Sequence, residues 1–367
     1  MKTVGDLRLF AVGRSLIPST TLERAIERMA FVQADPIRAP ARAQDLTLRT
    51  RVTGYRAGDL QARYASLPVE EDFFINYGFV TRRLQALMHP RSSLTPTASN
   101  KRAKAILEFV RERGSVHPRE VDAHFAHGRV TNWWGGSSSA TTQMLELMHY
   151  KGLLRVARRD NGIRIYATQT HGDGPTGAAA RRAHIDGLVD AVVSLYAPVP
   201  GASLSLIISR LRYAAPHWRG ELKSALQRAK ARLDQVTING HRWYWPAGER
   251  VDVDPVEGVR LLAPFDPVVW DRRRFELLWD WAYRFEAYTP APKRKLGYYA
   301  LPMLWRDRII GWANVTLLRA ERYGGQAINV ELGYVSGRAS RDRGFRSALD
   351  AEIEAMRSFL VGGRDDL

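Results

Sequence analysis

Two segments of this chain share one pattern, in which basic amphipathic helices lead into a strand, an Asn-Gly turn and a second strand. The turns are Asn161-Gly162 and Asn239-Gly240. Asn-Gly suits a two-residue type I′ turn because both residues tolerate positive φ angles. A helical unit closed by a β-hairpin is typical of a winged helix, so the repeated pattern predicts tandem modules of that kind.

The net charge indicates what these modules contact. The chain has 55 Lys and Arg residues against 38 Asp and Glu, a formal net charge of +17 over 367 residues. Such an excess is typical of nucleic-acid-binding proteins, although an anionic membrane surface or simple solubility would also account for it. Because the charge is spread along the chain, we expect a long track that binds nucleic acid.

Several classes of site are excluded or disfavoured by composition. The chain contains no cysteine, so it has no disulfide, no Cys-ligated zinc and no iron–sulfur cluster. His124 and His127 form the only close histidine pair, and no third ligand accompanies them. We therefore expect no metal and no cofactor. We also expect no signal peptide, no membrane association, a cytoplasmic, nucleoid-associated location and a monomer.

The hydrophobic pattern predicts an α+β protein with tandem winged-helix domains followed by a β-rich C-terminal domain. We expect four units: an N-terminal winged-helix-like unit with the candidate motif (1–95), a second winged helix (96–170), a third (171–250) and the β-rich domain (251–367). Helices are expected at 6–16, from 22, 58–90, 101–113, 118–125, 140–151, 178–195, 203–212, 217–235 and 347–360. Strands of the last domain are expected at 287–289, 297–304, 308–318 and 330–335.

The segment Phe31–Asp35 is the candidate for chemistry. If it is extended, Gln33 and Asp35 point to the same face, because side chains alternate along a strand. A carboxylate there can stabilise positive charge that develops in a reaction and can deprotonate a water, while an amide can hold that water. Taken alone, Gln-x-Asp before Pro36 is more often a surface turn than a catalytic pair.

Basic side chains near the second Asn-Gly turn are candidates for DNA phosphate contacts. They are Arg219, Lys223, Lys230 and Arg232 on the preceding helix, and His241 and Arg242 in the hairpin; Arg42, shortly after the motif, is a further candidate. A solvated basic face is the alternative interpretation. Trp243 either touches DNA or anchors its hairpin, and Trp133 and Trp134 either stack on a base or anchor a loop.

The C-terminal part carries a more specific signature. It contains the run Leu261 to Arg273 (LLAPFDPVVWDRR), then Tyr283 to Tyr288 (YRFEAY), Pro290 to Arg294 (PAPKR) and Gly297-Tyr298-Tyr299. With Trp133-Trp134-Gly135-Gly136, these runs resemble the winged-helix DNA glycosylases of the AlkZ/YcaQ type over nearly the whole chain. Gln33-Ala34-Asp35 matches the Gln-x-Asp form of that family's catalytic motif.

The resemblance implies a monofunctional DNA N-glycosylase that excises alkylated bases, such as bulky N7-alkylpurines or interstrand crosslinks. Three positions depart from the family pattern. Ala34 replaces a larger aliphatic residue, and Gln44 and Asn76 stand where histidines are expected. These departures favour a rival, a DNA-binding protein without activity. A nuclease or lyase is a weaker rival because neither an acid cluster nor a lysine accompanies the motif.

Overall fold

A computed structural model of the chain describes residues 1–16, 20–91, 101–126, 128–131, 137–172, 174–249, 257–319 and 326–362. Most of the linker expected near residue 95, the Trp133-Trp134 pair and His127 lie outside the described residues. Helices and strands are mixed along the whole chain. No helix in the described ranges is long and apolar enough to cross a membrane.

The N-terminal section combines short helices with a small antiparallel sheet of strand order β1-β3-β2. Its elements are α1 (Val4–Ser15), α2 (Leu22–Met29), β1 (Phe31–Gln33), α3 (Ala43–Leu48), α4 (Asp59–Arg63), a 3-10 turn (Tyr64–Ser66), β2 (Val69–Phe73), β3 (Tyr77–Thr81) and α5 (Arg82–Met88). The helix expected over 58–90 is therefore wrong in its middle, where β2 and β3 form a hairpin. The acidic run Glu70–Asp72 looks like a helix surface, but all three residues are buried.

The next two sections each place helices before a hairpin that a short third strand extends. The first contains α6 (Lys101–Arg113), β4 (Ser115–Val116), α7 (Pro118–Phe125), β5 (Arg129–Thr131), β6 (Ser137–Ser139), α8 (Ala140–Tyr150), β7 (Leu154–Asp160) and β8 (Ile163–Thr168). The second contains α9 (Gly177–Tyr196), β9 (Val199–Pro200), α10 (Gly201–Ala214), a 3-10 helix (Pro216–Glu221), α11 (Leu222–Arg232), β10 (Asp234–Ile238) and β11 (His241–Trp245).

Both Asn-Gly turns have the geometry that the sequence predicts. Asn161 and Gly162 have φ angles of 48° and 80°, and Asn239 and Gly240 have φ angles of 49° and 74°. The helix expected over 217–235 is instead the 3-10 helix followed by α11, which ends at Arg232 because β10 begins at Asp234. Leu147 of α8 is 49% exposed, and the helix buries Leu145 and Met148.

The C-terminal section is a four-stranded antiparallel sheet of order β12-β13-β14-β15 with two helices. Its elements are β12 (Val259–Leu261), α12 (Arg272–Trp279), a 3-10 turn (Ala291–Lys293), β13 (Leu301–Trp305), β14 (Arg308–Arg319), β15 (Gln326–Tyr334) and α13 (Phe345–Val361). The strand expected at 287–289 is wrong, because this stretch is a turn. The strand expected from 297 begins only at Leu301.

Helix α1 of the N-terminal section packs against the C-terminal section. Leu7 and Val12 of α1 pack in one apolar cluster with Val268 and Phe275 of the C-terminal section. Arg51 donates to both carboxylate oxygens of Asp266, at 2.6 and 3.0 Å, and both side chains are almost fully buried. The Gln-x-Asp segment follows α2 in the N-terminal section, where C-terminal residues can reach it.

Candidate active site

β1 holds the start of the Gln-x-Asp segment in place. Phe31 and Val32 are buried, and Gln33 pairs with Gly78 of β3. A Cβ atom on Gly78 would lie 2.3 Å from the Val32 carbonyl oxygen, so only glycine allows this close approach. The strand ends at Gln33, two residues short of the expected Asp35.

The Gln33 amide has a fixed orientation. Its Oε1 accepts hydrogen bonds from Asn76 Nδ2 at 3.1 Å and from Trp270 Nε1 at 2.7 Å. Because the indole N–H can only donate, the Gln33 atom that it meets is the oxygen. Two donors satisfy both lone pairs of that oxygen. Oε1 is thus held by two protein side chains, and Nε2 is the end left for a water or a substrate.

Asp35 is half-buried and takes part in no salt bridge in the part of the chain that the structure describes. Its Oδ1 accepts a hydrogen bond from the Ile37 backbone N–H at 2.9 Å. Burial raises the pKa of Asp35 above its ordinary value, and the bond from Ile37 opposes that rise only in part. The carboxylate is therefore a comparatively strong base for its type.

Both candidate side chains interact with the C-terminal section. Trp270 bonds Gln33, and the charge of Asp35 acts on the buried Tyr299. Burial, followed by the Asp35 carboxylate, holds the pKa of Tyr299 well above its usual range. The Tyr299 hydroxyl has no hydrogen-bond partner among the described residues. Two residues of the C-terminal signature thus lie at the candidate site.

A cavity of about 380 Å³ adjoins Asp35. It is lined by Ala34, Asp35, Pro36, Arg38, Arg42, Gln44, Tyr77, Phe79, Arg159, Gly162 and Arg164. Four of these residues are arginines. Glu71 pairs with Arg159 at 2.5 Å and with Arg164 at 3.9 Å, and Arg164 also pairs with Glu146 at 3.4 Å. The wall therefore remains positive, which suits a phosphate-bearing ligand.

Sequence reasoning missed the contribution of the β7–β8 hairpin to this wall. Tyr64 donates its hydroxyl hydrogen to the Val156 carbonyl at 3.0 Å, and Arg155 binds Glu70 in a bidentate pair. These contacts place the hairpin turn against the Gln-x-Asp segment. The available signal was the complementary charge of the acidic run Glu70–Asp72 and the arginines of 155–164.

The two positions where histidine is expected also lie at the site. Gln44 lines the cavity, and its buried Oε1 has no partner among the described residues. Asn76 is one of the two donors to Gln33. The departures from the family pattern thus change the polar groups that surround the candidate pair.

The expected DNA-contacting residues do not form one surface around this cavity. Arg42 lines it and donates to Gln61 Oε1. Arg219 and Lys223 are exposed on the third section, and Lys230 lies over the Tyr244 ring. Arg232, predicted to contact a DNA phosphate, pairs with Asp190 of α9 at 2.5 Å.

The second hairpin has mixed exposure. Arg242 is exposed and His241 is half-buried. Trp243 is only 1% exposed, so it anchors the hairpin to the core and does not face solvent. In the described ranges, no group of three or more His, Asp or Glu side chains is placed to hold a metal ion.

Residues 26–359 match the family model described as DNA glycosylase AlkZ-like. The chain belongs to the AlkZ-like DNA glycosylase family. Its fold is similar to that of Streptomyces sahachiroi DNA glycosylase AlkZ, with a TM-score of 0.63 over 99% of this chain and 98% of that chain. The two sequences are 12% identical, so this likeness concerns the fold alone. The resemblance drawn from the C-terminal signature is thereby confirmed at the level of the AlkZ-like family.

Proposed function

We propose that this chain is a monofunctional DNA N-glycosylase that excises alkylated bases by hydrolysis at Gln33 and Asp35. The observation that carries the proposal is a fixed amide donor two residues before a half-buried carboxylate, which forms no salt bridge within the described ranges and lies beside an arginine-lined cavity. Membership of the AlkZ-like family supports it.

The chemistry follows from the two side chains. As the glycosidic bond breaks, positive charge develops on the deoxyribose, and the Asp35 carboxylate stabilises that charge. Asp35 also removes a proton from the attacking water, and Gln33 Nε2 donates a hydrogen bond to that water or to the sugar. An N7-alkylated purine is already cationic, so its departure needs little acid assistance. One carboxylate therefore suffices.

N7-alkylpurines, including bulky adducts, are the substrates that we propose, with interstrand crosslinks as an extension. The walls next to Asp35 are built partly from small residues, Ala34, Pro36 and Gly162, which leave room for a substituent. A bulky adduct that remains attached to the opposite strand cannot be rotated fully into a closed pocket. A site reached from the groove avoids that requirement.

The domain organisation belongs to the same proposal. We assign residues 1–95, 96–170 and 171–250 to winged-helix-type units and residues 251–367 to the β-rich domain, acting as a monomer on double-stranded DNA. The order of helices, hairpin and third strand in the two middle sections supports this assignment.

The test is incubation with duplex DNA that carries N7-methylguanine, a small N3-alkyladenine or a bulky N7 adduct. We expect free base and an abasic site without strand cleavage, and little preference for the N3-alkyladenine. Asp35→Asn should lower the rate by roughly 10²-fold or more, since one electrostatic stabiliser of the transition state is lost. Its DNA binding should stay near wild type.

Three outcomes separate the alternatives. Wild-type rates in Asp35→Asn would exclude the proposed role of that residue. Loss of activity on adding a chelator would favour a nuclease. DNA binding with no base released from any of the three substrates would favour the alternative, a DNA-binding protein without enzymatic activity. The replacement of the expected histidines by Gln44 and Asn76 would then explain the loss of activity.

A further inference from the structure

The segment from Arg284 to Tyr298, called here the 284–298 loop, presents an unbalanced positive surface. Arg284, Lys293 and Lys295 are exposed, and none of them forms a salt bridge within the described part of the chain. The loop contains one acid, Glu286, which is only 7% exposed. The solvent face of the loop therefore carries cations without a compensating carboxylate.

Two tyrosine rings stand among these cations. Tyr288 is 79% exposed and Tyr298 is 42% exposed. Tyr298 lies under the Arg294 guanidinium, 4.9 Å from ring centre to Cζ, and the Tyr288 ring meets the Phe285 ring edge to face. Exposed aromatic rings interleaved with cations are typical of surfaces that hold a nucleic-acid strand, since each base offers a face for stacking.

Hydrogen bonds between the Glu286 and Asn314 side chains and the backbone fix the conformation of the loop. Glu286 Oε2 accepts backbone N–H bonds from Lys295 and Leu296 at 2.8 Å and from Gly297 at 3.4 Å. Asn314 donates to the Leu296 carbonyl at 2.8 Å. Gly297 has a φ of +121°, and a Cβ atom there would lie 2.2 Å from the Asn314 side chain. A fixed loop presents its cations without losing much entropy on binding.

The loop lies next to the candidate active site. The Phe285 ring packs edge to face on the Tyr299 ring at 5.2 Å, and Tyr299 is the buried residue on which the charge of Asp35 acts. Phe285 also meets Phe265 at 5.1 Å, in the same signature run as Trp270, the donor to Gln33. The exposed Tyr288 ring is thus joined to the site through packed aromatic contacts with Phe285 and Tyr299.

We propose that the 284–298 loop binds the DNA strand that flanks the damaged nucleotide, with Lys293 and Lys295 on phosphates and Tyr288 stacked on a base. The inference rests on the proposed function and deepens it. It assigns a DNA-binding role to the C-terminal signature, whereas the arginines of the cavity come from the N-terminal section and the β7–β8 hairpin. Holding the flanking strand would keep the damaged sugar in reach of Asp35.

The first test is the salt dependence of binding to undamaged duplex DNA. Lys293→Gln with Lys295→Gln should weaken binding roughly tenfold near 0.1 M salt and flatten the log–log salt slope by about 0.9 per lost phosphate contact. The matched control is Arg341→Gln with Arg343→Gln, an exposed pair before α13 with the same change in net charge. An equal loss in both double variants, or no loss in either, overturns the proposal.

The second test concerns Tyr288 and uses 2-aminopurine placed beside an abasic-site analogue in the duplex. The wild type and Tyr288→Phe should quench the fluorescence of the probe, while Tyr288→Ala should not quench it and should bind roughly tenfold more weakly, in the range of one base–aromatic stack. Equal quenching by Tyr288→Ala would remove the stacking role.

These readouts separate the loop from the chemistry. A protein that releases no base, but whose loop variants lose salt-dependent binding, contradicts the proposed function and leaves the DNA contact of the loop standing. A protein that releases bases, but whose loop variants bind and quench as the wild type does, overturns the loop assignment alone.

Discussion

At the residue scale, the candidate pair shows how position changes the chemistry of ordinary side chains. Gln33 is an amide whose oxygen is already satisfied, and Asp35 is a carboxylate that burial makes more basic. Neither property follows from the Gln-x-Asp spacing. Both depend on neighbours in the C-terminal section or on partial exclusion of water.

Asp35→Asn should make the folded protein more stable at neutral pH. Burial raises the pKa of Asp35 in the folded state above that of the unfolded chain. The protonated form therefore favours folding below the unfolded pKa, and that contribution is lost as the pH rises through the folded pKa. We expect Tm at pH 7.5 to rise by about 2–4 °C. The gain should shrink as the pH falls toward about 4.

The comparison is thermal unfolding across this pH range, with the exposed Asp350→Asn as control. A lower Tm for Asp35→Asn at pH 7.5 would show that the carboxylate is satisfied by a contact that the structure does not contain.

Trp270→Phe should lower the excision rate without weakening DNA binding. The change keeps an aromatic ring but removes the N–H that holds Gln33 Oε1, which frees the amide to rotate. Loss of one such hydrogen bond predicts a rate about tenfold lower at saturating enzyme. The measurement is single-turnover excision together with equilibrium binding.

Trp279→Phe is the matched control for this prediction, because Trp279 also donates one hydrogen bond, to the Asp307 carbonyl at 2.8 Å. Both variants should lose a little stability. Equal excision rates in the two variants would mean that Trp270 only packs.

At the element scale, β2 connects the N-terminal section to the β7–β8 hairpin through buried acids. Glu70 binds Arg155, Glu71 binds Arg159, and both arginines come from β7. The third acid, Asp72, faces α5 and its end, where it meets His89 and Arg91, each at 2.7 Å. The salt bridges from the buried acids of β2 thus fix the position of the hairpin that borders the cavity.

Asp72→Asn should destabilise the protein by about 3–5 kcal/mol, because Arg91 would remain buried without its carboxylate. Burial opposes ionisation of Asp72, but Arg91 and His89 outweigh it and hold its pKa well below the usual range. This contribution is present above the unfolded pKa and is lost as the pH falls.

Urea unfolding at pH 7 and at successively lower pH measures this effect, again with Asp350→Asn as control. The stability curves of the wild type and Asp72→Asn should converge in acid. A constant difference at every pH would assign the loss to packing and not to charge.

At the scale of the whole molecule, positive charge occurs on several surfaces, and contacts within the protein decide which cations are available. Arg228 and Arg232 of α11 pair with Asp186 and Asp190 of α9. Lys223, on the same helix, is exposed and forms no salt bridge in the described ranges. Net charge alone does not distinguish these residues.

Lys223→Gln should therefore reduce the salt slope of duplex binding by about 0.9, the value for one phosphate contact. Arg232→Gln, which also removes one charge from α11, should change the slope less, because the Arg232 guanidinium already pairs with Asp190. Binding isotherms at several salt concentrations measure both. A larger effect of Arg232→Gln would mean that DNA displaces the acids of α9.

The sequence by itself determined the local features of this protein. Asn-Gly dipeptides fix both hairpin turns, because few other residues accept two consecutive positive φ angles. The amphipathic periods located α2, α6, α7 and α13 to within a few residues. The C-terminal signature indicated the family, and the catalytic role of the Gln-x-Asp segment stays a prediction.

Only the tertiary structure decided how these parts act on one another. In the sequence, the acidic run of β2 resembles the exposed surface of a helix. In the structure, arginines 85 and 88 positions away neutralise two of its acids, so the run is buried in a strand. The indole donor to Gln33, Trp270, lies 237 positions away, and the partner of Arg51 lies 215 positions away. Such contacts leave no periodic trace in the sequence, because each depends on the folded path of the chain and not on the spacing between neighbours.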